Sequence, residues 1–325
     1  MISANSESHS LSIALVGECM IELQEVEPGR IQQTFGGDTL NTAIYMARLR
    51  EIFPARIDYV TALGCDGFSA QMIKFWEAEG VGSDLVQRQE GALPGLYYIQ
   101  LDGNGERRFS YWRGEAAVKK CFEYSGGQKI LDQLAQYDGV YLSGISVAVL
   151  TPTSRTLLFD RLVQLVRSGT KLFLDYNYRP HLWTAEISIA ETYQNLLSIC
   201  DTVFVGLDEL MEIHGISSEA AGHEYLARQG VRESVIRSGA DPCSICLAGD
   251  AIIVNAERDV NVVDTTAAGD SFSGAYLLAR NSGCSIETAA RIAHTMAAYV
   301  IGFKGAVAPL DKMPDFAALV HDAKG

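Results

Sequence analysis

Six short apolar runs recur along the chain with helix-like patterns between them, and this alternation limits the fold more than any other feature. The runs are Leu11–Gly17, Ile57–Gly64, Gly139–Ser146, Lys171–Asn177, Asp201–Gly206 and Glu233–Ala240. The intervening stretches Leu40–Leu49, Ser69–Glu79, Thr153–Ser168 and Ala220–Gln229 carry helical periodicity. A strand that is apolar throughout has both faces covered. Strands of that kind alternating with helices predict a mostly parallel sheet between two helical layers, an α/β three-layer core. In such sheets ligands sit beyond the carboxyl ends of the strands, and the polar and glycine endings of the runs cluster there.

Two regions interrupt the alternation. Residues 18–35 and 91–113 read as strands with turn punctuation, including "LYYIQLDGNGERRFSYW" with a hairpin turn at Asp102-Gly103-Asn104-Gly105. They predict a small β-sheet lid on a single domain spanning residues 11–325. Met1–Ser10 is polar, lacks the basic start of a signal peptide and reads as a flexible tail.

With 48% hydrophobic residues the chain of 325 residues can bury a large core, and its net charge of −14 argues against nucleic-acid or anionic-membrane partners. An acidic protein can still take an anionic small molecule where arginines set the local field. The seven cysteines are scattered and odd in number, the usage of a reduced, cytoplasmic protein. Cys243 and Cys246 have CxxC spacing without a second pair nearby and read as core thiols in a strand. No apolar run approaches the ~20 residues that span a bilayer.

Phosphate-loop, dinucleotide-fingerprint, zinc-protease and nucleophile-elbow motifs are all absent. Two other stretches carry chemistry. In "VVDTTAAGDSFSGAYLLAR", Val262–Arg280, the small residues Ala267, Ala268 and Gly269 precede an apolar helix and leave its first amides open to an anion. Asp270 follows them. A carboxylate there is either an N-cap, worth ~1 kcal/mol, or a general base kept charged by the helix dipole. In "FGGDTLNTAIYMARL", Phe35–Leu49, Gly36 and Gly37 open another helix, with Asn41 one turn inside it.

Together, "GGDTLNTA" near the start and "DTTAAGDSFS" near the end resemble the two signatures of the ribokinase-like (PfkB-type) carbohydrate kinases. The likeness runs from about Leu11 to Pro309. Within that family "GECMIEL", "LPGLYYI", "YWR", "YLSGIS" and "NYRPHLW" resemble the branch acting on 2-keto-3-deoxygluconate. The resemblance implies a Rossmann-like core with a β lid, ATP and Mg2+ as donor and cofactor, and transfer of the γ-phosphoryl group to a sugar-acid hydroxyl. It implies that Asp270 is the base, with the amides of Ala267, Ala268, Gly269 and Asp270 as the anion hole. Substrate contacts then fall on Gly36, Gly37, Asp38, Asn41, Tyr97, Tyr111, Arg113 and Arg179. Nucleotide contacts fall on Arg237, Gly239, Ala240, Asp264, Gly269 and His294, and Glu209 organises the metal through water. A homo-oligomer is expected through the lid.

Physical chemistry supports these assignments in kind. Phosphoryl transfer needs chiefly positioning and charge stabilisation, and a guanidinium suits a substrate carboxylate through paired hydrogen bonds. The chain departs from the family pattern twice. Gly206-Leu207-Asp208-Glu209 stands where N-x-x-E is common, and Arg237-Ser238-Gly239-Ala240 where K-[RG]-G-[AS] is common. The first departure keeps open a catalytically silent sugar-binding protein. A fructokinase-like relative acting on another sugar acid or ketose is the nearer alternative.

Overall fold

The computed structural model describes residues 10–322 apart from residues 28, 102–106, 184–187 and 259. The expected tail, through residue 9, and the hairpin turn at Asp102–Gly105 lie outside the described residues.

The larger sheet has nine strands: β1 (Leu11–Val16), β4 (Ala55–Gly64), β5 (Val86–Gln89), β8 (Gly139–Ser143), β9 (Lys171–Asp175), β10 (Thr202–Gly206), β11 (Glu233–Arg237), β12 (Cys243–Leu247) and β13 (Asp250–Val254). Their order is β13-β12-β11-β10-β9-β8-β1-β4-β5. From β5 to β11 every pairing is parallel; β12 and β13 join antiparallel at one edge. The strand order reverses at β1, which has β4 on one side and β8 on the other, and a crevice opens beyond the carboxyl ends of such a switch point.

The second sheet holds β2 (Met20–Glu27), β3 (Arg30–Gly36), β6 (Gly95–Leu101) and β7 (Arg107–Trp112) in the order β3-β2-β6-β7. These are the two regions that interrupt the alternation in the sequence.

The helices are α1 (Asp38–Arg48), α2 (Gly67–Ala78), α3 (Gly127–Gln133), α4 (Gly144–Val149), α5 (Pro152–Arg167), α6 (Ile189–Leu197), α7 (Leu207–His214), α8 (Glu219–Gln229), α9 (Ala268–Asn281), α10 (Ile286–Ile301) and α11 (Phe316–Asp322). Period-two alternation along the buried strands divides the core between two helical layers. Ile13 and Leu15 of β1 join Leu40, Leu277 and Ile292 of α1, α9 and α10. Ala14 and Val16 of the same strand join Leu162, Leu196 and Leu226 of α5, α6 and α8. Leu15 and Leu196 are both buried, so truncating either to alanine costs on the order of 2–5 kcal/mol.

One expected strand is shorter than its apolar run. Residues 139–146 read as continuous strand, but β8 stops at Ser143, whose hydroxyl accepts the Ser146 amide and starts α4. Serine in that position satisfies an orphan helix amide, and this outweighs the apolar pattern. Cys243 and Cys246 both lie buried in β12, and no disulfide or metal-holding group of three His, Cys, Asp or Glu occurs among the described residues. Among these residues no helix is long and apolar enough to cross a membrane.

Candidate active site

A cleft of about 440 Å3 opens beyond the carboxyl ends of the central strands, walled on one side by Tyr97 and Tyr111 of the small sheet. The other walls come from Asp38 and Asn41 of α1, from Asp175 and Asn177 at the end of β9, and from the loop into α9.

The start of α9 lines this cleft, with the Ala268 amide turned back to Thr265 O at 3.3 Å. Ala267 precedes the helix with φ 63° and ψ 12°, and no side chain caps the end. The left-handed conformation costs an alanine roughly 1–2 kcal/mol, so the surrounding contacts must hold it. Asp264 supplies several of them: it accepts the Thr266 amide at 3.1 Å, the Thr266 hydroxyl at 2.7 Å and the Gly305 amide at 2.9 Å. Asp264 therefore braces the loop from beneath.

Asp270 lies in the first turn of α9, and its carboxylate accepts a hydrogen bond from Asn41 Nδ2 at 2.9 Å. Ala267 holds the N-cap position and no side chain, Asp270 included, makes a cap hydrogen bond, so the reading of Asp270 as a cap fails. Desolvation, and next the charge of Asp38, push the Asp270 carboxyl up to about 8, against the pull of Asn41 and Arg237. Burial likewise raises Asp38, although Ser143 Oγ and Asn177 Nδ2 (2.8 Å) donate to it. Asn177 makes that contact from a backbone with φ 34°.

Behind these two acids lies a compensated pair. Arg237 Nη2 meets Asp175 Oδ1 at 2.7 Å, while Nη1 donates to Gly269 O and Ser273 Oγ, each at 3.0 Å. Ser273 donates in turn to Asp175 Oδ2 at 2.8 Å. Arg237 lines the cleft, but its guanidinium is spent on Asp175 and on the first turn of α9. A Cβ on Gly269 would come to 3.0 Å from Arg237 Nη1, so glycine lets the guanidinium close on the helix start.

Gly36 and Gly37 serve close packing within the protein. A Cβ at Gly36 would stand 2.5 Å from Tyr97 Oη, and one at Gly37 would stand 2.1 Å from Glu18 O. Gly37 has extended backbone, so its need for glycine is one of space. Tyr97 donates to the carboxylate of Glu22, and its ring lies 5.9 Å from that of Tyr111. Arg179 is exposed at the rim, with Nη1 on Tyr178 O at 3.3 Å.

The cleft thus gathers Gly36, Gly37, Asp38, Asn41, Tyr97, Tyr111, Arg179, Arg237 and the Ala267–Asp270 run. Other expected residues fall elsewhere. Arg113 pairs with Glu18 and faces an adjoining cavity of about 400 Å3 with Lys119 and His181. Gly239 and Ala240 form an exposed turn after β11, where Gly239 takes φ 65°. His294 is a core residue: its ring meets Phe272 edge-on at 5.0 Å and Nε2 approaches Cys243 Sγ at 3.2 Å, because α10 packs that face against α9 and β12. Glu209 holds backbone, with Oε1 on the Tyr178 amide and Oε2 on the Gly206 amide, both at 2.6 Å. It ties the start of α7 to the loop carrying Asn177 and Arg179. A Cβ at Gly206 would stand 2.2 Å from Asp208 Oδ1, so a side chain there requires the exposed Asp208 carboxylate to swing aside.

Sequence reasoning overlooked Glu18, Glu22, Ser143, Asp175, Asn177 and Ser273. The acid-containing ends of two strands, "GECMIE" and "LDYN", were the available signal.

The profile described as pfkB family carbohydrate kinase matches residues 10–313. The 2-dehydro-3-deoxygluconokinase of Escherichia coli strain K12 is 44% identical over 312 residues, covering 94% of this chain and 99% of that protein. The enzyme of the same name from Dickeya dadantii is 43% identical over 312 residues, covering 93% and 98%. Among solved structures, a fructokinase with bound ATP from Xylella fastidiosa superposes with a TM-score of 0.80 at 23% identity, covering 97% of this chain and 99% of that one. That likeness concerns the fold.

Proposed function

Because this chain belongs to the pfkB family of carbohydrate kinases, we propose that it transfers the γ-phosphoryl group of ATP to 2-keto-3-deoxy-D-gluconate, giving the 6-phosphate. The observation that carries the mechanism is the uncapped start of α9 with the Asp270 carboxylate in its first turn, aimed at Asn41 and the cleft. The substrate class rests on the relatives more than 40% identical over nearly the whole chain.

The transferring phosphoryl group lies at the start of α9, where the first amides and the helix dipole favour negative charge. The acceptor hydroxyl lies between that group and Asp270, which takes its proton as the oxygen attacks phosphorus. A raised proton affinity suits this task, because a base works best when its pKa lies near the working pH. Arg237 keeps the first turn of α9 in place through Gly269 O, and Asn41 aims the carboxylate. A base in position contributes ~10²–10⁴-fold to rate.

Mg2+ fits only as an ion held mainly by substrate phosphates and water, its usual mode in kinases. Asp38, Asp175 and Asp270 are the carboxylates lining the cleft that would face its water shell, Asp175 while also holding Arg237 and Ser273, and Glu209 is turned to backbone amides. When bound, the ion spreads the phosphate charge.

Arg179 at the rim and Arg113 beside the cleft supply the cations for the sugar-acid carboxylate, with Tyr97 and Tyr111 packing the carbon chain. The small sheet acts as a lid on a single catalytic domain. Exposed Ile31, Phe109 and Trp112 on its edge strands support pairing of two copies, and the charge and reduced cysteines support a cytoplasmic location.

A coupled assay with MgATP and 2-keto-3-deoxygluconate, fructose and ribose tests the proposal. The sugar acid is expected to be turned over best; equal or better turnover of either neutral sugar overturns it in favour of a fructokinase-like kinase. Absence of turnover with saturable sugar binding establishes the silent alternative.

A further inference from the structure

Where the two sheets meet, a buried acid already occupies the arginine that the substrate reading assigns to the carboxylate. Glu18 follows β1, with its side chain only 2% exposed, and its Oε2 pairs with Nη2 of Arg113, whose side chain is 14% exposed. The other oxygen, Oε1, is buried with no hydrogen-bond partner among the described residues. Room for it depends on Gly95, since a Cβ there would stand 2.5 Å from Oε1. Arg113 is therefore a cation neutralised by a carboxylate that packing does not let go.

A sugar acid reaching Arg113 brings a second carboxylate to the same guanidinium. Two carboxylates sharing one site away from water do not both stay ionised. Glu18 is the one that yields. Burial, with Asp38 of α1 adding to it, already raises its carboxyl, while Arg113 at the end of β7 and Lys119 of the turn Ala117–Lys120 oppose the rise. Cys19, beside it, stays a neutral thiol because burial raises its pKa far above neutrality.

We propose that Glu18 is the counter-charge of Arg113 and takes one proton from solvent, on the unpartnered Oε1, when a carboxylate-bearing sugar binds. The Oε2–Arg113 contact persists, an O–H bond forms at Oε1, and the solvent supplies the proton. Glu18 is thus a specificity-determining residue: the charge on the acceptor is matched by protonation of the protein, and neutral sugars trigger none. The inference rests on the reading that Arg113 meets the substrate carboxylate.

Titration calorimetry of the full chain with 2-keto-3-deoxygluconate, in buffers of different ionisation enthalpy from about pH 5.5 to about pH 8.5, measures the uptake directly. The wild-type protein is expected to take up close to one proton more with the sugar acid than with fructose. Its sugar-acid affinity should fall by up to about tenfold per pH unit as pH rises through the window of uptake. In Glu18→Gln that proton disappears, and affinity at the alkaline end exceeds wild type by about tenfold. Asp38 and Asp270 remain in both proteins, so the difference belongs to position 18. Equal uptake in wild type and Glu18→Gln overturns the proposal. Should the variant not fold, equal uptake with sugar acid and fructose in wild type overturns it equally well. If Arg113→Ala binds the sugar acid as tightly as wild type, the underlying reading of Arg113 fails. If Arg113→Ala loses affinity while wild type takes up no proton, that reading stands and only the inference falls.

Discussion

Asn41 Nδ2 donates to Asp270 Oδ2 at 2.9 Å across a separation of 229 residues. This one contact joins the glycine-led helix start near the beginning of the chain to the bare helix start near its end. Asn41 favours the ionised form of Asp270, against desolvation and the charge of Asp38.

A base must be ionised in the free enzyme, so kcat/KM is expected to climb with pH and level off above about 8, where Asp270 has lost its proton. Asn41→Ala removes a group that lowers the Asp270 pKa, so the rising limb should move to higher pH. Asp270→Asn should cut kcat by ~10²–10⁴-fold while sugar binding persists. A pH-rate series on the three proteins checks both points; an unmoved limb in Asn41→Ala would show that the contact carries no catalytic weight.

The same shift has a stability consequence of opposite sense. The folded-state pKa of Asp270, about 8, lies above its ordinary value of 3.8. The folded chain therefore holds the proton more tightly than the unfolded chain, and this contribution is complete below pH 3.8 and is lost as pH rises to about 8. Asp270→Asn, which never ionises, should melt higher than wild type near pH 8, with the gap narrowing as pH falls. Thermal melts of the two proteins at matched pH decide it; a gap independent of pH would contradict the raised affinity.

Much of this architecture can be read from the residues alone, for a definite reason. β1, β9 and β10 are apolar on both faces, so composition marks them as central strands, and the small residues before α9 mark an exposed helix end. Ser143 defeated the same logic, since a hydroxyl cap overrides an apolar run without altering its pattern. Glu18, Glu22 and Asp175 left a trace as acids at strand ends, but their pairing was illegible for another reason. Each is a carboxylate whose partner lies far along the chain, at Arg113, Tyr97 and Arg237, and periodicity carries no information about distant pairing. His294 shows the converse: a residue placed near the nucleotide by family resemblance packs against Phe272 in the core.

Arg237 gives a prediction that separates bracing from direct phosphate contact. Its partner Asp175 is only 3% exposed. Arg237→Ala leaves that carboxylate buried and uncompensated, which costs ~3–5 kcal/mol. Arg237→Lys keeps the charge but loses the fork that reaches Asp175, Gly269 and Ser273 together. The lysine protein should retain much of the stability yet lose activity through a misplaced α9 start. Urea denaturation and steady-state kinetics on both variants test this; a lysine variant with full activity would show that charge alone suffices.

Ala267 is the most economical probe of the anion site, because its backbone sits at φ 63° and its side chain is only a methyl group. Glycine accepts that conformation without the roughly 1–2 kcal/mol penalty an L-residue carries, although its freer unfolded chain offsets about 0.5–1 kcal/mol. Ala267→Gly should therefore melt at or slightly above the wild-type temperature and keep kcat within about threefold, since the amide stays where it is. Valine is branched at Cβ and resists positive φ. Ala267→Val should swing the 267–268 amides away from the cleft and lower kcat by ~10²-fold or more, the scale of one lost anion-hole donor. The sugar-acid KM should change far less, because no substrate contact is assigned to Ala267. Should KM rise as steeply as kcat falls in the valine protein, the loop serves sugar binding and its role as an anion hole is excluded.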